Sequence, residues 1–116
     1  MGLQVKAAAK YVRMSPQKVR RVIDQVRGKK ADEALVLLSF MPQAAAKPVA
    51  KVIRSAIANA EENYGLSRDD LYIARIFADP GPTLKRYRAG ARGRVKPILK
   101  RSSHITVILE ERVPTS

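Results

Sequence analysis

The spacing of hydrophobic residues predicts three β-strands. Residues 4–12 alternate between apolar and polar side chains, which is the pattern of a strand with one buried face. On its inward face we expect Val5, Ala7, Ala9 and Tyr11, with Lys6 and Lys10 on the other. Residues 71–79, rich in Ile, Tyr and Phe, predict a second strand. Residues 104–111 predict a third, with Ile105, Val107 and Leu109 on one face.

Helical spacing predicts three helices between the first two strands. The first is expected to begin at Ser15, a good N-cap, with Pro16 at its first position, and to end before Gly28. The second covers residues 31–40, and the third runs from close to Pro48 until Gly65 stops it. The apolar stripes of the three are Val19, Val22, Ile23 and Val26; Leu35, Leu37 and Leu38; and Val49, Val52, Ile53, Ala56, Ile57, Ala60 and Tyr64.

The order of these elements predicts an α+β fold. Three helices are expected to pack on a small three-stranded antiparallel sheet. We expect a single domain over residues 1–116, because a chain of 116 residues falls within the ordinary length of one domain.

A long connection, residues 80–103, separates the last two predicted strands. Its 24 residues exceed an ordinary loop, and residues 84–88 and 94–101 are compatible with strands. We therefore predict a long protruding basic β-hairpin whose arms of about twelve residues would reach about 40 Å. Pro97 belongs at an edge or a bulge of such a ladder. The alternative is a solvated, disordered basic segment.

Charge points to a polyanionic partner. The chain carries 23 Lys and Arg against 10 Asp and Glu, a formal net charge of +13. Residues 1–30 hold nine cations and one acid, and residues 80–109 hold eight cations and no acid. Two strongly basic segments therefore flank a middle that is slightly acidic, which favours nucleic acid as the partner.

A general polyanion or membrane-surface binder is the competing class. It would need an amphipathic helix with a basic polar face and large apolar residues opposite. The first predicted helix fits this description weakly, and its Val and Ile stripe is better explained as core. No apolar run approaches the length of a membrane span, so we expect no membrane partner.

The residues that catalysis requires are scarce. Cysteine is absent, which excludes thiol nucleophiles and every zinc site that contains Cys, and fits a reducing cytosol. His104 is the single histidine, and no phosphate-binding or dinucleotide-binding motif occurs. We expect no enzyme, no cofactor, no metal and no small-molecule substrate.

Two other nucleic-acid motifs stay open as minor alternatives. Gly90-Ala91-Arg92-Gly93 matches the loop that clamps nucleotides in KH domains, although that loop joins helices and its flanks here look extended. The first two predicted helices could also form a helix-turn-helix. Its second helix would begin with Asp32 and Glu33 and offers little that could contact base edges.

Several longer motifs resemble one family, the bacterial form of large-subunit ribosomal protein family twenty-two. The first motif is Arg13-Met14-Ser15-Pro16-Gln17-Lys18-Val19-Arg20, followed by Asp24 and Arg27-Gly28-Lys29, and residues 51–63 resemble the family's long helix. The last comprises Asp79, Gly81-Pro82, Leu84-Lys85-Arg86, Gly93-Arg94 and residues 100–107. The resemblance runs from about Val5 to Glu110.

This resemblance implies a function in translation. It implies a cytoplasmic, structural protein of the large ribosomal subunit that binds 23S ribosomal RNA and supports early assembly. It also implies that the hairpin lines part of the nascent-peptide exit tunnel. The implied partners are 23S ribosomal RNA, neighbouring large-subunit ribosomal proteins and the nascent peptide.

The candidate RNA-binding residues fall into two groups, to which the resemblance adds a hairpin tip. The first group is Arg13, Ser15, Lys18, Arg20, Arg21, Arg27 and Lys29. The second is Lys85, Arg86, Arg88, Arg92, Arg94, Lys96, Lys100, Arg101 and His104. The tunnel-side tip is Arg88, Ala89, Gly90, Ala91, Arg92 and Gly93. Family members usually read Pro-Arg-Ala where this chain has Ala89-Gly90-Ala91.

Overall fold

The computed structural model describes residues 3–42, 44–81, 84–89 and 95–112. It contains three helices: α1 (Pro16–Val26), α2 (Ala31–Ser39) and α3 (Ala46–Tyr64). The strands are β1 (Gln4–Val12), β2 (Leu71–Pro80), β3 (Leu84–Ala89), β4 (Val95–Lys100) and β5 (Ser103–Glu111), and a short 3₁₀ turn (Arg68–Asp70) precedes β2. The order and type of the predicted elements are confirmed.

The strands form two separate antiparallel sheets. The first has the order β1-β5-β2, so the last strand lies in the centre and β2 forms an edge. The second pairs β3 with β4. The α+β fold, with three helices and a three-stranded antiparallel sheet, is therefore confirmed.

The core lies between the helices and one face of the three-stranded sheet. The predicted inward residues of β5, Ile105, Val107 and Leu109, are fully buried. The apolar stripe of α1 is fully buried as well, and α3 contributes its stripe from Val49 to Ala60. The core is aliphatic, and the five aromatic side chains whose burial the structure describes lie outside it: Tyr11, Phe40, Tyr64, Tyr72 and Phe77.

Local sequence signals set the helix ends. Pro16 occupies the first turn of α1, where a missing N–H removes no helical hydrogen bond. Pro48 is the third residue of α3 and is tolerated for the same reason. Gly65 ends α3 in the left-handed conformation, with φ +64°. Gly28 is also left-handed, at φ +81°, but α1 already ends at Val26.

Two tyrosines lie outside the faces predicted for them. Tyr11 is 63% exposed and has a φ of +59°, because the register of β1 shifts between Ala9 and Val12. An extra residue in a strand reverses the alternation, so Val12 packs against the core instead. Tyr64 is 51% exposed, since it is the last residue of α3 and lies beyond the core.

The β3–β4 ladder belongs to the predicted hairpin. Its pairing runs without a shift from Leu84–Lys100 to Ala89–Val95, and Pro97 lies opposite Tyr87. Both strands of a two-stranded ladder are edges, which is where proline is tolerated. The molecule measures 73 × 26 × 19 Å, as expected for a hairpin that extends away from the body. Residues 90–94, which include most of the predicted tip, lie outside the described residues.

Candidate nucleic-acid interface

The first predicted group of cations lies along α1 and its flanking turns. Arg13, Lys18, Arg20, Arg21, Arg27 and Lys29 are all exposed. The opposite face of α1 is buried in the core, so the amphipathic pattern of this helix directs its cations to solvent. Lys18 and Arg21 form no ion pair with another described residue.

Two arginines of this group hold α1 against the sheet. Arg20 donates from Nε and Nη2 to the carbonyl oxygen of Ala78, at 3.2 and 2.9 Å. Arg27 donates from Nη2 to the carbonyl oxygen of Ile76 at 3.0 Å, and from Nη1 to Asp24 at 2.7 Å. The neutral carbonyl leaves the charge of Arg20 uncompensated, whereas Asp24 partly offsets the charge of Arg27. The sequence analysis assigned both residues to RNA alone and missed this packing role.

A cleft joins the start of α1 to the base of the hairpin. Its volume is about 330 Å³, and it is lined by residues that include Ser15, Gln17, Arg20, Gly81 and Arg101. Ser15 is the N-cap of α1, but its hydroxyl makes no capping hydrogen bond. The cleft therefore brings together members of both predicted groups at the start of α1, Ser15 and Arg20 from the first and Arg101 from the second.

His104 uses one ring nitrogen to hold the end of β1. The backbone N–H of Tyr11 donates to His104 Nδ1 at 3.1 Å, and the two rings meet edge to face with centroids 4.9 Å apart. Nδ1 is thus an acceptor, and Nε2 is the nitrogen left to contact a ligand. Gly81 lies beside this nitrogen: a Cβ atom added to Gly81 would be 3.4 Å from Nε2.

The register of the β3–β4 ladder divides the hairpin residues into two faces. Residues paired across an antiparallel ladder, and residues two apart along a strand, share a face. One face therefore comprises Leu84, Arg86, Arg88, Lys96, Ile98 and Lys100. The other comprises Lys85, Tyr87, Ala89, Val95, Pro97 and Leu99. The sequence analysis predicted a basic hairpin but not this separation of a cationic face from a largely apolar one.

Some site residues have only a partial structural description. Arg92, Arg94, Gly90, Ala91 and Gly93 lie outside the described residues. Arg88 and Ala89 occupy the last two positions of β3. Arg101 follows β4 directly and is exposed.

Two further features of this region gave no usable signal in the sequence. Ser103 is fully buried, and its hydroxyl donates to the carbonyl oxygen of Met14 at 2.6 Å, which ties the turn before α1 to β5. On the outer face of the sheet, the guanidinium of Arg75 lies 5.8 Å from the centroid of the Phe77 ring. A single serine or arginine carries no periodic pattern, so neither contact could be predicted.

The described residues offer little that could support other chemistry. They contain no group of three or more His, Cys, Asp or Glu side chains placed to hold a metal ion. Among them, too, no helix has the length and apolar character needed to cross a membrane. At the surface, the hydrogen bond and the charge of Asp32 raise the pKa of Arg68 above its ordinary value, and both side chains are partly exposed.

Comparison with known proteins gives a consistent result. The sequence model of the family described as ribosomal protein L22p/L17e matches residues 7–110. A Synechococcus sp. (strain JA-3-3Ab) protein named large ribosomal subunit protein uL22 is 56% identical over 96% of this chain and 90% of its own length. The protein of that name from Desulfatibacillum aliphaticivorans is 61% identical over 94% of this chain and its entire length. This chain therefore belongs to the ribosomal protein L22p/L17e family.

Proposed function

We propose that the chain binds 23S ribosomal RNA through α1 and the hairpin, as a structural constituent of the large ribosomal subunit in the bacterial cytoplasm. In this proposal it supports subunit assembly, contacts neighbouring ribosomal proteins, and lines part of the exit tunnel with its hairpin, next to the nascent peptide. Family membership supports the proposal, since the relatives are named as large-subunit proteins. No catalytic activity or cofactor is needed for it.

The register of the β3–β4 ladder, which assigns four cations to one face, is the observation that carries the proposal. Arg86, Arg88, Lys96 and Lys100 share this face, and Arg88 lies directly opposite Lys96. Like charges in opposed positions destabilise a ladder. Residues 80–109 contain no acid that could offset this repulsion, so a polyanion bound along the face is the partner that would relieve it.

The α1 surface supplies the second contact. Lys18 and Arg21 are exposed and form no described ion pair, so their donors can reach phosphate oxygens. The cleft with Arg20 and Arg101 joins this surface to the base of the hairpin. Since side chains cannot readily enter the deep major groove of A-form RNA, recognition should depend on RNA shape, backbone and 2′-hydroxyl groups.

A general polyanion or membrane-surface binder is the other class to consider. Membrane attachment by α1 would require its apolar residues to face solvent. Val19, Val22, Ile23 and Val26 are instead fully buried. This burial favours RNA held by the exposed cations over a membrane surface.

The salt dependence of binding tests the proposal. If about eight phosphates are neutralised, the logarithm of the affinity for 23S ribosomal RNA should fall with the logarithm of salt concentration with a slope on the order of −6. Filter binding between low and physiological salt measures this slope. A slope near zero would argue against phosphate contacts as the source of affinity.

A further inference from the structure

The outward side of α3 carries a stripe of cations that the RNA-binding groups do not include. Lys47, Lys51 and Arg54 are spaced by four and three residues, so they lie along one side of the helix, and all three are exposed. The sequence contains no acid between Glu33 and Glu61. None of the three cations forms an ion pair with another described residue.

These cations border a groove whose lining is partly apolar. The groove lies between the end of α2 and the first turns of α3, with a volume of about 780 Å³. Its apolar lining includes Leu38, Met41, Pro42, Ala46 and Ala50. It shares no lining residue with the cleft at the start of α1.

Large apolar side chains are also exposed on α2 and directly after it, where Phe40 lies between two residues that line the groove, Ser39 and Met41. Phe40 follows the last residue of α2 and is 81% exposed, and Val36, one turn earlier, is 59% exposed. Apolar side chains at the surface beside a groove are typical of protein-docking sites. Methionine at the margin of such a groove adapts readily to the shape of a partner.

We propose that this groove docks an acidic amphipathic helix of another polypeptide chain. The apolar side chains of such a helix would fill the groove, and its carboxylates would pair with Lys47, Lys51 and Arg54. Amphipathic helices bind grooves in this way, through apolar anchors at helical spacing. An RNA backbone could pair with the cations, but it has no apolar group to fill the space beside Leu38 and Met41. The proposal does not depend on RNA binding.

A designed peptide tests the docking proposal directly on the intact chain. The probe is a fluorescein-labelled helix of fifteen residues, with Leu at positions four, eight and eleven, Glu beside them, and Ala elsewhere. The counter-probe replaces the three Leu by Ser and keeps the same charge. We expect the Leu peptide to bind about tenfold or more tightly than the Ser peptide, because only the former buries apolar surface.

Paired charge reversals locate the site. The double variant Lys51→Glu, Arg54→Glu should weaken binding of the Leu peptide about tenfold. The matched control, Lys6→Glu with Lys10→Glu, reverses two exposed cations of β1 and changes net charge equally. This control should weaken peptide binding less than about threefold, because it lowers only the overall attraction between the positively charged protein and the acidic peptide.

Three results would overturn the proposal. Equal affinity for the two peptides would mean that the apolar groove does not take part. Equal losses in the two double variants would mean that net charge alone attracts the peptide. If the groove variant left peptide binding intact but lost more affinity for 23S ribosomal RNA than the control, the surface would be an RNA contact.

Discussion

The guanidinium of Arg20 donates two hydrogen bonds to the carbonyl oxygen of Ala78. Ala78 lies on β2, an edge strand whose backbone groups would otherwise be open to solvent or to another chain. Arg27 donates to Ile76, two residues earlier, and the backbone around Gly28 pairs with Ile73. The side chains of Arg20 and Arg27 and the turn that follows α1 therefore cover part of the free edge of β2, which fixes the orientation of the helix and its exposed cations.

The arginine at position 20 should therefore contribute to stability. Replacement Arg20→Ala removes a charged donor from a partly buried carbonyl, and we expect the free energy of unfolding to fall by about 1–2 kcal/mol. Urea denaturation measures the change.

The neighbouring residue offers a matched control. Arg21 has the same charge and is exposed, but its side chain makes no described hydrogen bond. Arg21→Ala should change the free energy of unfolding by less than about 0.5 kcal/mol while it weakens RNA binding. Equal destabilisation by the two substitutions would show that the contact with Ala78 adds nothing to stability.

Position 28 favours glycine because of its backbone conformation, and not because a larger side chain would clash with its neighbours. Its φ is +81°, and a Cβ built on it would meet no atom within 4 Å. Gly28→Ala should destabilise the protein by about 1 kcal/mol, because only the strain of the left-handed conformation opposes it. Gly28→Asn should cost less, since asparagine tolerates this conformation better. Thermal unfolding of the two variants distinguishes strain from a steric clash, which would penalise the larger Asn more.

The ion pair between Arg68 and Asp32 should matter little at ordinary pH. The pair raises the pKa of Arg68. Its stabilisation is therefore fully present at neutral and mildly alkaline pH, and on the alkaline side it is lost only as pH rises through the raised value. Because the pair is exposed, Asp32→Asn should lower the free energy of unfolding by less than about 1 kcal/mol, equally at pH 6 and pH 9. A difference between these two pH values would reveal another titrating group coupled to Asp32.

Tyr87 tests whether the largely apolar face of the ladder also contacts RNA. Stacking of an aromatic side chain on a base is worth about 1–3 kcal/mol, so Tyr87→Leu should weaken binding to 23S ribosomal RNA by about tenfold or more. Leucine keeps an apolar side chain at this position without the planar ring. Unchanged affinity in a competition assay would remove the stacking interpretation.

Local signals in the sequence were sufficient for most of the fold. The Ser15-Pro16 start of α1, Gly65 at the end of α3 and the apolar stripes of α1 and of α3 as far as Ala60 each depend on neighbouring residues only, and the structure agrees with them. In the predicted stripe of α2, Leu38 is buried, whereas Leu35 and Leu37 are only partly buried. The position of Tyr11 was predicted wrongly because the bulge in β1 arises from its pairing with β5, which the local alternation does not contain.

The candidate site was less accessible to prediction for the same reason. An exposed arginine on a basic helix suggests a nucleic-acid contact, and nothing near Arg20 in the sequence identifies Ala78, 58 residues away, as its partner. The two faces of the β3–β4 ladder depend on its register, which the sequence of the two arms does not determine without the turn. Composition therefore indicated a nucleic-acid partner, while the arrangement of the cations required the structure.

The most direct test of the RNA-binding proposal compares the intact chain with a variant in which a two-residue turn replaces residues 84–101. Binding to 23S ribosomal RNA is measured at moderate salt with an excess of unrelated RNA as competitor. We predict that the intact chain keeps its affinity and that the shortened chain, which retains the α1 surface, loses most of it. If the competitor displaces both chains equally, the protein binds polyanions in general, and the proposed role of the hairpin is wrong.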